Sequence, residues 1–267
     1  MLDAKIIDSL AHAYDDAERE RQCIRPSSVV YPGFTKEDAY AVQRRWIELK
    51  VARGNQVKGH KIGFTSRAMQ RQVGIDEPDY GALMADMFYL TGDDLPMSRF
   101  VQPWLECELG FVLGKRLEGP NCTIFDVLNA TDYVTPVCEI VDSRTHRLDP
   151  ETGRQRCVLD NIADNAGNAA LIVGGRPIKP TELDLRWVSV LCHRNNTIEE
   201  TGVAAAVMNH PANGIAWLAN KLAPFDIGLE PGQFVLAGSF IGMVEARAGD
   251  VFHADFGSLG SISARFV

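Results

Sequence analysis

The stretch Trp104-Leu105-Glu106-Cys107-Glu108-Leu109-Gly110-Phe111-Val112-Leu113 decides how the chain is read. Leu105, Cys107, Leu109, Phe111 and Leu113 are apolar at every second position, while Trp104, Glu106, Glu108, Gly110 and Val112 fill the alternate ones. Successive side chains of a strand leave opposite faces, so this period of two predicts a strand with one face in a core and two carboxylates on the other. Their Cβ atoms would lie about 6 to 7 Å apart. On alternation alone a solvated strand face outweighs a binding pair by about two to one, because half-exposed strands commonly read this way.

Working outward, Thr135 to Val141 reads as a second strand, with Asn129-Ala130-Thr131-Asp132-Tyr133 before it and Asp142-Ser143-Arg144 after it as polar turn material. It carries Glu139. Taken singly, that acid is expected to face solvent or an arginine. If it converges on Glu106 and Glu108, three carboxylates share a pocket and stay ionised together only with a cation among them. An all-oxygen donor set suits a hard divalent ion, Mg²⁺ or Mn²⁺.

Upstream, Lys58-Gly59-His60-Lys61-Ile62-Gly63 forms a short β-like run whose glycines permit close backbone approach. On a strand Lys61 shares a face with Gly59 and Gly63, a groove where an ammonium group can meet a bound anion; His60 points away with Lys58 and Ile62. A lone lysine carries about a one-in-ten expectation of function, the rest being surface charge. Asp76-Glu77-Pro78-Asp79-Tyr80-Gly81 reads as an acidic loop, either a pocket wall with Asp79 as its acid or an ordinary turn. At Leu236-Ala237-Gly238-Ser239-Phe240, Ser239 and neighbouring backbone N–H groups at a strand end can hold a carboxylate, and a plain turn is the alternative.

The first fifty residues read as two helices. Ile6, Ile7, Leu10, Tyr14 and Ala17 form one stripe behind an Asp3 cap; Ala39, Val42, Trp46 and Leu49 form another behind a Thr35/Asp38 capping box. Later strands are expected at Leu185–Cys192, ending in an Asn195-Asn196 turn, and at 233–237, 251–256 and 262–267, with a helix opening at Pro211. The division expected is a helical region over residues 1–56 and an α+β catalytic domain over 57–267.

Composition agrees with a core-forming chain: 267 residues, 46% hydrophobic, 23% charged, net charge -8. The acidic balance and the lack of a basic run argue against nucleic acid or an anionic membrane as partner. Cys23, Cys107, Cys122, Cys138, Cys157 and Cys192 form no C-x-x-C pair and read as reduced thiols in a cytoplasmic setting. No stretch is apolar enough to span a bilayer, and G-x-G-x-x-G, Walker A, H-E-x-x-H and G-x-S-x-G sequences are absent. A small molecule is the expected partner.

Several longer stretches carry a resemblance. Glu37-Asp38-Ala39-Tyr40-Ala41-Val42-Gln43-Arg44, Lys58 to Gly63, Glu77-Pro78-Asp79-Tyr80-Gly81-Ala82-Leu83, Gly119-Pro120-Asn121-Cys122-Thr123, Asn129 to Tyr133, Asn209-His210-Pro211-Ala212-Asn213-Gly214 and the closing Gly260 to Val267 resemble the fumarylacetoacetase-like superfamily, in its hydratase and decarboxylase branch of meta-cleavage catabolism. The resemblance runs nearly end to end. It implies a mixed-sheet barrel or roll behind an N-terminal helical region, assembled as a homo-oligomer, with a decamer as one candidate size. It reverses the weighting on the two glutamates: Glu106, Glu108 and Glu139 match the family's Mg²⁺ or Mn²⁺ ligands, Lys61 its lysine and Asp79 its pocket acid. Cys107 and Cys138, where the chain departs from the family beside the ligands, fall on the opposite face by alternation. The implied activity is addition of water to the dicarboxylate 2-hydroxyhepta-2,4-diene-1,7-dioate in homoprotocatechuate catabolism, giving 4-hydroxy-2-oxoheptanedioate. The alternatives are a 2-hydroxypenta-2,4-dienoate hydratase, a 4-oxalocrotonate-type decarboxylase, and a non-catalytic metal-binding partner subunit of a decarboxylase.

Overall fold

The computed structural model describes residues 1–267. Its strands are, in chain order, β1 (Val57–Gly63), β2 (Asp79–Met84), β3 (Phe88–Leu90), β4 (Asp94–Leu95), β5 (Trp104–Leu113), β6 (Thr131–Val141), β7 (Asn168–Val173), β8 (Ser189–Arg194), β9 (Thr197–Val203), β10 (Phe234–Leu236), β11 (Val244–Glu245), β12 (Val251–Asp255) and β13 (Ser261–Phe266). The helices are α1 (Ala4–Glu20), α2 (Ser27–Val30), α3 (Lys36–Ala52), α4 (Arg67–Val73), α5 (Ile124–Ala130), α6 (Val158–Ala163) and α7 (Pro211–Leu222). None of them is long and apolar enough to cross a membrane.

The strands form two mixed sheets, one in the order β2-β1-β10-β5-β6-β7-β3 with β11 also on β5, the other β4-β13-β12-β8-β9. β5 occupies the range its alternation predicts. Leu105, Cys107, Leu109 and Phe111 are fully buried and share a core with Phe252, Ala254, Ile262 and Phe266 of the second sheet. Each large apolar side chain so buried stabilises the fold by about 1.5–3 kcal/mol, which fixes the face on which the glutamates must emerge. Cys107 and Cys138 are paired across the ladder on this core face, and all six cysteines are free thiols.

The N-terminal helices form as their sequence signals require. Asp3 accepts from the Lys5 amide at the start of α1. Thr35 and Asp38 close a reciprocal capping box on α3. Their buried stripes, with Tyr14 stacked near Trp46, pack against Ile162 and Ala163 of α6. What they brace is therefore the short helix that leads into the Asn165–Asn168 segment.

Several boundaries differ from the sequence reading. β6 begins at Thr131, and Asn129 and Ala130 end α5 instead of forming a turn, because Thr123 and Asp126 make a capping box that starts a helix there. β8 begins at Ser189, because Leu185–Trp187 is a 3₁₀ turn capped by Asp184. Asn195 and Asn196 do form the turn, both at positive φ. Asp79, Tyr80 and Gly81 are not loop: they open β2 and pair with Gly63, Ile62 and Lys61. The tie that converts them to strand is Asn165, whose side chain bonds both the N–H and the C=O of Ala82 as a neighbouring strand would.

Candidate active site

Glu106 stands directly opposite Glu139 in the antiparallel β5–β6 ladder, and Glu108 follows two residues on along the same face. One carboxylate oxygen from each of the three lies within 4.8 Å of the others. The face is not solvated: Glu139 is fully buried, Glu108 is 1% exposed and Glu106 is half-buried. Like charges in direct cross-strand register destabilise a sheet, so this arrangement needs compensation.

Part of it comes from the chain. Lys61, on β1, is buried and places Nζ 3.3 Å from Oε1 of Glu139. The ammonium also donates to the Ala166 carbonyl at 2.9 Å. Asn165, Ala166 and Gly167 all take positive φ, which turns that carbonyl inward. Asn168 donates to Oε1 of Glu139 at 2.7 Å, and the Gly238 amide donates to Oε2 of Glu108 at 2.8 Å. Gly238 sits at φ +113° with Thr65 packed so close that a Cβ would lie 2.2 Å from Thr65 Oγ1, so glycine is required where the backbone meets Glu108.

Asp79 completes the group. Its Oδ2 accepts from Asn161 at 2.8 Å, whereas Oδ1 is buried with no partner. Room for it exists because residue 63 is glycine: a Cβ there would lie 2.2 Å from Asp79 Oδ1 and 3.4 Å from Lys61 Nζ. The groove that alternation assigned to Gly59, Lys61 and Gly63 is thus real, and the side chain projecting into it from β2 is Asp79.

Four carboxylates, Glu106, Glu108, Glu139 and Asp79, therefore surround one ammonium. Burial, then repulsion from Glu139, pushes the Glu106 carboxyl up to about 7. Burial, then Glu139 and Glu106, holds Glu108 well above the carboxylate range. Asp79 is raised by burial, with Lys61 working against that. Burial by itself lowers Lys61, but Glu139 and Asp79 outweigh it and the ammonium is held above its ordinary value. Protein groups alone leave the cluster short of positive charge, and Oε2 of Glu139 is buried without any partner. Three close oxygen donors with an unpartnered lone pair fit a hard divalent cation, and Glu106, Glu108 and Glu139 are the residues that would hold it.

A model of the fumarylacetoacetate (FAA) hydrolase C-terminal region matches residues 55–267. The chain belongs to the fumarylacetoacetate hydrolase family. Relatives within that family carry several activities. The chain is 62% identical to 2-oxo-hept-4-ene-1,7-dioate hydratase of Escherichia coli over 258 residues, 97% of either chain. It is 37% identical to 2-keto-4-pentenoate hydratase of Paraburkholderia xenovorans over 91% of this chain and 88% of the relative. Among solved structures, 4-oxalocrotonate decarboxylase from Pseudomonas putida G7, complexed with magnesium and adipate, superimposes with a TM-score of 0.94 at 34% identity, over 100% of this chain and 99% of that one. A family member with this fold therefore holds magnesium together with a dicarboxylate.

The remaining sequence-predicted residue is Ser239. Its hydroxyl bonds the Ile241 carbonyl at 3.0 Å and the Cys107 carbonyl at 3.4 Å, so it serves the local backbone. The Ser239 N–H takes no acceptor from the chain while its neighbour Gly238 binds Glu108. Sequence reasoning missed Asn161, Asn165, Asn168 and the Ala166 carbonyl. The available signal was the run Asp160-Asn161-Ile162-Ala163-Asp164-Asn165-Ala166-Gly167-Asn168, dense in side-chain amides just before an apolar strand.

Proposed function

We propose that this protein is a divalent-metal-dependent hydratase that adds water to 2-hydroxyhepta-2,4-diene-1,7-dioate and yields 4-hydroxy-2-oxoheptanedioate. The observation that carries the reading is the convergence of Glu106, Glu108 and Glu139 beside Lys61 and Asp79, in a chain 62% identical to a hydratase of that name. When bound by the three glutamates, Mg²⁺ or Mn²⁺ supplies a Lewis acid for the 2-oxo acid end of the substrate.

The chain's own groups do the rest. The dienol first shifts to its keto form, with a proton delivered at C5, which leaves a C3–C4 double bond conjugated to the ketone and C4 electrophilic. Water then adds at C4 while negative charge gathers on the C2 oxygen, and the resulting enolate returns to the ketone by taking up a proton at C3. Lys61 keeps its proton, since its carboxylate neighbours raise its pKa, and acts as a fixed positive charge offsetting that oxygen. Asp79 has one oxygen held by Asn161 and the other free, and its raised pKa makes it a better base than an ordinary carboxylate; it accepts the proton of the attacking water. The unoccupied N–H of Ser239 is the donor for a substrate carboxylate. A cytoplasmic location and a homo-oligomer belong to the same reading, the latter supported by exposed Leu191, Ile198 and Val251 on strands of the second sheet.

The test is product analysis by mass after incubating the dienol dioate with protein and Mg²⁺. A gain of one water supports the hydratase; release of CO₂ from a 2-oxo-hexenedioate would assign the decarboxylase activity that the 36%-identical 4-oxalocrotonate decarboxylase of Pseudomonas sp. bears in its name. Metal binding with no change in dienol absorbance would leave a non-catalytic subunit.

A further inference from the structure

A hydratase for a dianion needs a second positive charge, and the catalytic cluster does not provide one: Lys61 is its only cation and is engaged with Glu139 and the Ala166 carbonyl. Resting on the function proposed above, we infer that Arg67, with Arg71 beside it on α4, recognises the distal carboxylate of the substrate.

The argument begins where β1 leaves the site. Thr65 is buried against Gly238, whose amide holds Glu108, and the Thr65 carbonyl accepts from the Met208 amide. The chain is under constraint here: Phe64 and Met208, both bulky, take φ of 53° and 46°, a region that large side chains rarely enter outside functional segments. Arg67 follows Thr65 by two residues, so its Cα lies within about 7 Å of the Thr65 Cα.

Helix α4 then presents its charges without using them. It buries none of its residues. The side chains of Arg67 and Arg71 are exposed and take neither a hydrogen bond nor a carboxylate, a state shared by Arg44, Arg147 and Arg154; what sets Arg67 and Arg71 apart is their place on the helix that directly follows β1. Positions i, i+3 and i+4 share a helix face, which groups Arg67, Gln70 and Arg71. Gln70 Nε2 donates to the Phe64 carbonyl at 2.7 Å, so that face turns back toward the end of β1, the strand that carries Lys61.

Size and chemistry agree. A seven-carbon dioate spans roughly 7 to 8 Å between its carboxyl carbons, as six backbone bonds do. With its 2-oxo acid end at the glutamates, the far carboxylate lies within the reach of an arginine rooted two residues beyond Thr65. A guanidinium matches a carboxylate with two parallel N–H donors and stays charged at all working pH.

The test uses Mg²⁺-loaded protein and two unreactive ligands of the substrate's seven-carbon length that differ by one carboxylate, 2-oxoheptanedioate and 2-oxoheptanoate, with binding measured by calorimetry. Wild type is expected to prefer the dianion at least tenfold, and Arg67→Gln to remove most of that preference while leaving the monoanion affinity within twofold, which also reports an intact site. Arg67→Lys should keep part of the preference, and Arg71→Gln should lose less. A wild type without preference, or a preference unchanged in Arg67→Gln and in the double variant, overturns the inference. Because this readout needs no turnover, it is separate from the mass assay: protein that discriminates the ligands yet forms no hydrated product retains the arginine subsite and loses the hydratase reading.

Discussion

Glu106 and Glu139 are paired across the β5–β6 ladder as direct neighbours, two acids at a position where a sheet ordinarily places complementary side chains. Stability has been given up at this point, and the amount depends on protonation and on metal.

With Glu106 pushed up to about 7 against an ordinary 4.5, the metal-free folded chain keeps a proton that the unfolded chain has released. Its contribution therefore falls as pH rises from 4.5 to 7 and stays lost above. Glu106→Gln should melt higher than wild type in chelator at pH 8, by about 1–2 kcal/mol after allowing for the solvent screening of a half-buried group. The difference should vanish near pH 4.5, and turnover with Mg²⁺ should drop at least a hundredfold. A variant that is active with chelator present would remove metal from the mechanism.

Lys61→Met should lower kcat by roughly two to four orders of magnitude and change KM far less, as expected for a charge that acts on the developing oxyanion. Steady-state kinetics at saturating Mg²⁺ reads the split. An unchanged kcat takes Lys61 out of the chemistry.

Gly63 has an ordinary backbone conformation, so the effect of Gly63→Ala is steric. The added methyl must displace Asp79 from a buried position pinned by Asn161. Overpacking of this kind costs about 1–3 kcal/mol, and kcat should fall at least tenfold while Mg²⁺ affinity stays within twofold, because no metal ligand has moved. Equal losses in both measurements would mean that Asp79 and the glutamates are one rigid unit.

His60 points away from Lys61, half-buried with Nδ1 enclosed and unpartnered, and its pKa is lowered to about 4 by burial against the opposing pull of the Gly81 carbonyl. Since the unfolded histidine titrates near 6.5, the unfolded chain binds the extra proton first, and stability is lost as pH falls from 6.5 to 4. The loss is at most about 3 kcal/mol. Urea midpoints of wild type and His60→Leu at pH 7 and pH 4.5 should differ by that acid slope, with the variant the flatter of the two.

The features legible in the sequence are those written locally. The period of two in β5 located both the strand and the carboxylate face, and the Thr35/Asp38 signal located the start of α3, because alternation and capping act over a few residues. The same local logic applies at Thr123 to Asp126, whose capping box starts α5, so that Asn129 and Ala130, of turn composition, end a helix instead. Asp79 is a different kind of miss: Asp76 to Gly81 has turn composition, and Asp79 to Gly81 become strand only because β1 and the side chain of Asn165 supply the missing hydrogen-bond partners.

By itself the sequence determined the amphipathic elements, the charge, the absence of common nucleotide and hydrolase motifs, and, through resemblance, which residues to compare. Tertiary structure alone decided that Glu106, Glu108 and Glu139 converge beside Lys61, that Asp79 fills the space left by Gly63, and that Asn161, Asn168 and the Ala166 carbonyl orient the charges. The reason is electrostatic: whether an acid is a solvated surface group or a ligand depends on how many other charges share its low-dielectric surroundings, and those neighbours come from segments that are distant along the chain.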